Sequence, residues 1–193
     1  MKFGANQRLR PFADPVTANA GFVHIVADVE RDSIGKRHVL GGSGPGANQI
    51  LDTNAAGIQQ MRALLSPKGI DVISAPLPYG NGSRECLHLM SLMSLLDGQT
   101  VLVDLPWLAV ETVELLQTRG FRLIEIDYSE RNTLGCNVLS LGNKRLLSIE
   151  ENQRTNTKLR QAGFDVRTFP GSEICINGSG GPTCLTRPLL RGL

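Results

Sequence analysis

The residue types best suited to covalent chemistry gather in one stretch: Asn177-Gly178-Ser179-Gly180-Gly181-Pro182-Thr183-Cys184-Leu185-Thr186-Arg187-Pro188. Small, flexible residues and a proline lead straight to one cysteine. Glycine allows backbone turns that a Cβ would forbid, and it lets another molecule approach closely. A thiol on such a turn can face a pocket with backbone N–H groups around it. Nearby dipoles then favour the thiolate, which is the nucleophilic form. The same composition also suits a glycine-rich loop followed by an ordinary buried cysteine, because free cysteine is among the most buried residue types. A second glycine-rich run, Gly41-Gly42-Ser43-Gly44-Pro45-Gly46, lacks the Lys-Ser/Thr of a phosphate loop and a strong strand before it, so a flexible turn is expected there.

Other reactive side chains are sparse. Cys86, Cys136, Cys175 and Cys184 show neither CxxC spacing nor a dense framework, which fits reduced thiols in a cytoplasm. Cys175 lies near Cys184 in sequence and could pair with it; packing in a strand is the expectation. His24, His38 and His88 offer no metal-site spacing, and no cofactor is implied. A net charge of +2 without a Lys/Arg block argues against a grip on nucleic acid. No apolar run approaches the roughly 20 residues that span a bilayer. The polar start, Met1 to Arg10, predicts no signal peptide. A chain of 193 residues, 41% hydrophobic and 20% charged, reads as one soluble domain with a proper core.

The elements that must position these residues follow a pattern. Gly21 to Val29 suits a strand. Thr53-Asn54 reads as a helix start, with Ile58, Met61, Leu64 and Leu65 on one face. Gly69 ends that helix, and Ile70 to Ile73 reads as a strand stopped by Pro76 and Pro78. Leu87 to Met93 is strand-like, Asp97-Gly98 is a hairpin turn signal, and Val101-Leu102-Val103 returns. Pro106 opens a helix with Val110, Val113 and Leu116 on one side; Gly120 ends it and Phe121 to Ile126 is a strand. Asn137 to Leu141, a turn at Gly142-Asn143, Arg145 to Ile149, a helix over 152–161, Gly163 and a strand over 164–167 repeat the order. The period is roughly 45 residues, and units of this kind bury their faces only by packing around a common axis. A doubly wound α/β fold would not require a tight hairpin in every unit.

A ββαβ repeat that ends in Gly-Gly-Pro-Thr-Cys-Leu-Thr resembles the pentein, or guanidino-group modifying, superfamily, in its dimethylarginine dimethylaminohydrolase and arginine deiminase branch. Four pieces carry the resemblance: Asp52-Thr53-Asn54-Ala55-Ala56-Gly57-Ile58, Leu87-His88-Leu89 through Leu96-Asp97, Asn137-Val138-Leu139-Ser140-Leu141, and Gly180 to Thr186 with Pro188. They stand in the family's order over residues 50–193. The resemblance implies a five-bladed α/β propeller with a central site and no cofactor. It implies Cys184 as the nucleophile on a guanidinium carbon and His88 as the general acid/base, releasing a ureido product such as citrulline. A guanidinium is a poor electrophile, so a soft nucleophile and an acid for the leaving amine are both needed. Without the resemblance, His88 reads as a satisfied core histidine.

The sequence departs from the family pattern where the cation would be held. The carboxylate expected two positions after the histidine is Met90, and Leu40-Gly41-Gly42-Ser43 stands where the family has a Glu-Gly-Gly-Asp segment. An unpaired buried cation is costly, so these acids matter. Asp14 in Phe-Ala-Asp-Pro matches an early guanidinium-contacting acid, and Arg187 or Arg191 suits a substrate carboxylate. The chain is shorter than family members, with the deficit in the first blades. It therefore divides into a diverged or irregular part over 1–49 and pentein repeats over 50–193. Three readings result: a hydrolase of a small guanidino compound, arginine or a methylated arginine; a pentein-fold binding or regulatory protein without turnover; or an inactive mobile or cryptic gene product. An incomplete propeller would leave strand edges open, which a homodimer would cover.

Overall fold

In the computed structural model the described residues are 25–29 and 37–43, through their backbone pairing, together with 55–80 and 88–186. They form three copies of one unit. The first comprises β1 (Ile25–Val29), β2 (Arg37–Ser43), α1 (Ala55–Leu65) and β3 (Ile70–Pro76). The second comprises β4 (Met93–Leu95), β5 (Thr100–Val103), α2 (Val110–Thr118) and β6 (Arg122–Glu125). The third comprises β7 (Leu139–Gly142), β8 (Arg145–Ile149), α3 (Gln153–Gln161) and β9 (Asp165–Phe169). In each unit an antiparallel hairpin is followed by a helical crossover to a parallel third strand, giving separate sheets ordered β1-β2-β3, β4-β5-β6 and β7-β8-β9.

The sheets are tied along their first strands. β1 packs beside β4. On the other side of β4, Ser94 Oγ donates to the Cys136 carbonyl at 2.6 Å, and Ser140 Oγ of β7 donates to the Leu96 carbonyl at 2.7 Å. Helices cross to the preceding unit, α2 against β3 and α3 against β6. β5 explains why the units need each other. Strand side chains alternate between faces, and here Val101 and Val103 enter one core with Ala75, Leu77, Leu92 and Met93. Leu102, between them, enters another with Cys136, Val138, Leu146 and Leu159. Both faces are covered, so the strand is apolar from Val101 to Val103. Burying one such leucine stabilises by about 1.5–3 kcal/mol, which a single unit in water could not realise.

Turn chemistry sets the boundaries. Gly69, Gly120 and Gly163 all take the left-handed conformation (φ 69°, 76° and 93°) where the three crossover helices end, as the sequence predicts. The third hairpin turns on Asn143 and Lys144, both at positive φ (50° and 58°), one residue later than expected. This is the backbone pattern that matches strand twist in two-residue hairpins. Pro106 opens a 3-10 turn, Leu105–Trp107, and the helix proper waits until Val110, which is exposed; Thr112 and Leu116 provide the buried face. Leu64 of α1 is likewise exposed, and Ile58 carries that helix's packing. The expected strand over Leu87 to Met93 is a 3-10 turn at Leu89–Ser91, with only Met93 to Leu95 paired. Gly41-Gly42-Ser43, read as the start of a flexible turn, belongs to β2 in parallel register with Ser74-Ala75-Pro76. Strands therefore occur before residue 50, and β1 and β2 complete the first sheet. The expected helix start at Thr53-Asn54 lies outside the described residues. No described helix is long and apolar enough to cross a membrane.

Candidate active site

The cysteine loop is built from the end of β9 onward. Glu151, just after β8, accepts the Gly171 N–H with both carboxylate oxygens at 2.9 and 3.0 Å. That fixes the entry to a π-helical turn, Ser172–Ile176, in which the Cys175 and Ile176 N–H groups both donate to the Gly171 carbonyl. Such turns are common at functional sites. Cys175 therefore sits in this turn, not in a strand, and it is a fully buried free thiol. Burial pushes its ionisation up, with smaller contributions from the charges of Glu151 and Cys184. Its carbonyl accepts the Gly180 N–H at 3.0 Å, folding the glycine-rich segment back toward the cysteine that follows.

Cys184 lies in a four-residue helical turn, α4 (Pro182–Leu185), closed by Cys184 N–H and Leu185 N–H donating to the Gly181 carbonyl. Its side chain is exposed, in contrast to buried Cys136 and Cys175. One buried side chain organises this turn. Asn137, 6% exposed, accepts from Thr183 N–H at 3.0 Å and from Thr183 Oγ1 at 2.7 Å through Oδ1, while its Nδ2 donates to Cys184 Sγ at 3.4 Å. Gly181 has a steric reason here. A Cβ at that position would lie 2.4 Å from Asn137 Cγ and 2.5 Å from its Oδ1.

His88 heads the 3-10 turn Leu89–Ser91 at the entrance of the second unit, half-buried and in extended backbone. Met90 is half-buried against the apolar cluster of Leu89, Leu92 and Met93, so the position where the resemblance expects an acid is occupied by packing. Asp14 and Arg187 lie outside the described residues, as do Arg191, Cys86 and residues 44–54. Cys136 is buried and its ionisation is pushed far up, chiefly by burial. No group of three metal-ligating side chains is present among the described residues.

Two acids that sequence reading passed over hold structure near these elements. Asp104, at the end of β5 and 1% exposed, pairs with Arg131 at 2.7 Å, and the guanidinium stacks 3.5 Å from the Trp107 ring centroid. Burial raises the Asp104 ionisation, and Arg131 pulls against it. Glu130, also buried, accepts the Arg154 and Thr155 N–H groups at 2.7 and 2.8 Å, capping α3 from another segment. No sequence signal marks it, because Asn152 is itself a favoured N-cap type, yet its side chain makes no cap hydrogen bond to the helix.

Comparisons with known proteins agree with this architecture. The family model for arginine deiminase matches residues 104–191. The chain is 33% identical over 106 residues to the YkgA protein of Bacillus subtilis, spanning 55% of this chain and 36% of that one. It is 40% identical over 57 residues to the arginine deiminase of Mycobacterium avium, spanning 30% of this chain and 14% of the relative. The chain thus covers well under two thirds of these relatives. Among solved structures, the N-terminal domain of the cyanobacterial arginine dihydrolase ArgZ, as a cysteine-to-serine variant bound to substrate, superposes with a TM-score of 0.64 at 20% identity, covering 85% of this chain and 55% of that one. Dimethylarginine dimethylaminohydrolase of Pseudomonas aeruginosa, as a cysteine-to-serine variant with citrulline, gives 0.58 at 24% identity, covering 82% and 52%. With the three ββαβ units in place and the matched segment running through the cysteine loop, this chain has the pentein fold and is similar to arginine deiminase over residues 104–191.

Proposed function

We propose that the chain is a thiol-dependent hydrolase of the guanidino group of arginine or a methylated arginine, with Cys184 as nucleophile and His88 as general acid and base. The observation that carries this reading is an exposed thiol on a tight Gly-Gly-Pro turn, hydrogen-bonded by a buried amide. In the proposed reaction the Cys184 sulfur adds to the guanidinium carbon. The C–N bond to the leaving amine breaks as His88 supplies its proton, leaving a thiouronium on sulfur. Water, deprotonated by His88, adds to the same carbon; the C–S bond breaks and the thiolate returns. The net change is guanidinium plus water to a ureido product, citrulline from arginine, plus ammonium or an alkylammonium ion that carries away the positive charge. Asp14 and Arg187 would hold the cation and the substrate carboxylate.

The test is incubation with arginine, methylated arginines and agmatine, with an assay for ureido product and intact-mass detection of the covalent adduct. Product abolished by both Cys184→Ala and His88→Ala is the expected result; product that survives Cys184→Ala refutes the reading. Met90 favours a second reading, a pentein-fold binding protein without turnover, because a methionine packed on the core cannot pair with a cation. Guanidine binding without product or adduct would select it.

A further inference from the structure

The amide of Asn137 lies under the cysteine turn, at the start of the strand motif Asn137-Val138-Leu139-Ser140-Leu141, and the proposed chemistry leaves it without a role. Its orientation is fixed by chemistry. The Thr183 N–H can only donate, so the amide atom facing it at 3.0 Å must be the oxygen. The NH2 group therefore faces Cys184 Sγ at 3.4 Å and can only donate to it. The turn cannot rotate away, because Thr183 Oγ1 also donates to the same Oδ1 at 2.7 Å, and Gly181 is the one residue type that leaves room for the amide. The sulfur is thus held as an acceptor in one direction.

We propose that Asn137 is a positioning residue that fixes the Cys184 sulfur in place through the Nδ2 hydrogen bond. This rests on the reading of Cys184 as the nucleophile. The function assigned to the amide is to fix the direction of the sulfur before any substrate arrives. Asn137→Asp probes that contact directly. The aspartate keeps an acceptor for Thr183 but replaces the donor to sulfur with a negative charge.

The experiment is alkylation of the full-length protein by iodoacetamide, with modification of Cys184 followed by peptide mass mapping across pH. In Asn137→Asp the rate profile of Cys184 should move to higher pH and the rate near pH 7 should fall roughly tenfold. A folded Asn137→Asp protein with the parent profile overturns the proposal, because a carboxylate within hydrogen-bond reach of the sulfur could not leave that profile unmoved. If Asn137→Asp does not fold, the parent itself supplies the second measurement. The Asn137 side-chain 1H–15N resonances should shift as Cys184 ionises and should lose that titration in Cys184→Ala; resonances that ignore the thiol overturn the proposal. The two readings fail separately. Turnover without any dependence of alkylation on residue 137 removes the role of Asn137, and dependence without turnover removes the hydrolase.

Discussion

Gly181→Ala should disturb this loop through one identifiable contact. The backbone at Gly181 (φ −84°, ψ −172°) is open to any residue, so no conformational strain enters. The added methyl would lie 2.4, 2.5 and 2.7 Å from Asn137 Cγ, Oδ1 and Cβ, and something must move. Overpacking of this kind costs about 1–3 kcal/mol. Pushing the amide aside also breaks its two bonds from Thr183, at roughly 1 kcal/mol each. The sum, roughly 3–5 kcal/mol, corresponds to a fall in Tm of about 10 °C for a chain of this size. Differential scanning calorimetry measures it. A double-mutant cycle with Asn137→Gly isolates the contact, because removing the whole side chain clears the space and the second cost should shrink toward zero. Gly181→Ala with parental Tm, or with the same cost in the Asn137→Gly background, would refute the steric argument.

Other outcomes are expected elsewhere. Asp104→Ala leaves the Arg131 guanidinium stacked on Trp107 without its counter-ion and should cost about 3–5 kcal/mol by urea unfolding; a loss below about 1 kcal/mol would mean that water has replaced the carboxylate. Because burial raises the Asp104 ionisation, the folded state retains a proton that the unfolded chain releases. Relative to Asp104→Asn, the parent should therefore lose stability as pH climbs from the ordinary 3.8 through the raised folded value, a trend visible in parallel unfolding curves at several pH values. Glu130→Ala removes two charge-assisted bonds to the first turn of α3 and should cost roughly 2–3 kcal/mol, with faster amide exchange confined to residues 153–157; uniform protection across the helix would refute the capping role.

How much of this could be read in the chain depended on whether the cause was local. Gly69, Gly120 and Gly163 announce themselves because a left-handed residue past a helix is a property of that residue alone. The Asn143-Lys144 turn came out one place off, since Lys144 at positive φ has no signature and is imposed by the register of β7 and β8. Gly41-Gly42-Ser43 looks like a turn by composition, yet it pairs with residues 74–76, a tertiary cause invisible in the run itself. The same division holds at the site. The tight turn that carries Cys184 was legible from its glycines. Asn137 appeared only as part of a strand motif, because its contacts to Thr183 and Cys184 join positions nearly fifty apart. Cys175, expected in a strand, follows an apolar isoleucine as a strand residue would. Its turn is set instead by Glu151, between β8 and α3, gripping Gly171.

That same grip bears on how a cation could be held. The two buried carboxylates among the described residues are already engaged, Asp104 by Arg131 and Glu130 by the start of α3, and half-buried Glu151 is held by Gly171 N–H. The free oxygen of Asp104 is no opening either, since it has no exposed surface. An exposed acid pairing with a guanidinium contributes at most about 1 kcal/mol and is screened by salt. Tight binding of a guanidino compound would therefore have to draw on an acid outside this set, and Asp14 is the candidate that the sequence supplies. Asp14→Asn should then raise the Kd for arginine at least tenfold by isothermal titration while leaving Cys184 alkylation at its parental rate. An unchanged Kd would shift the cation's partner to one of the exposed acids, and the binding would then weaken steeply with added salt.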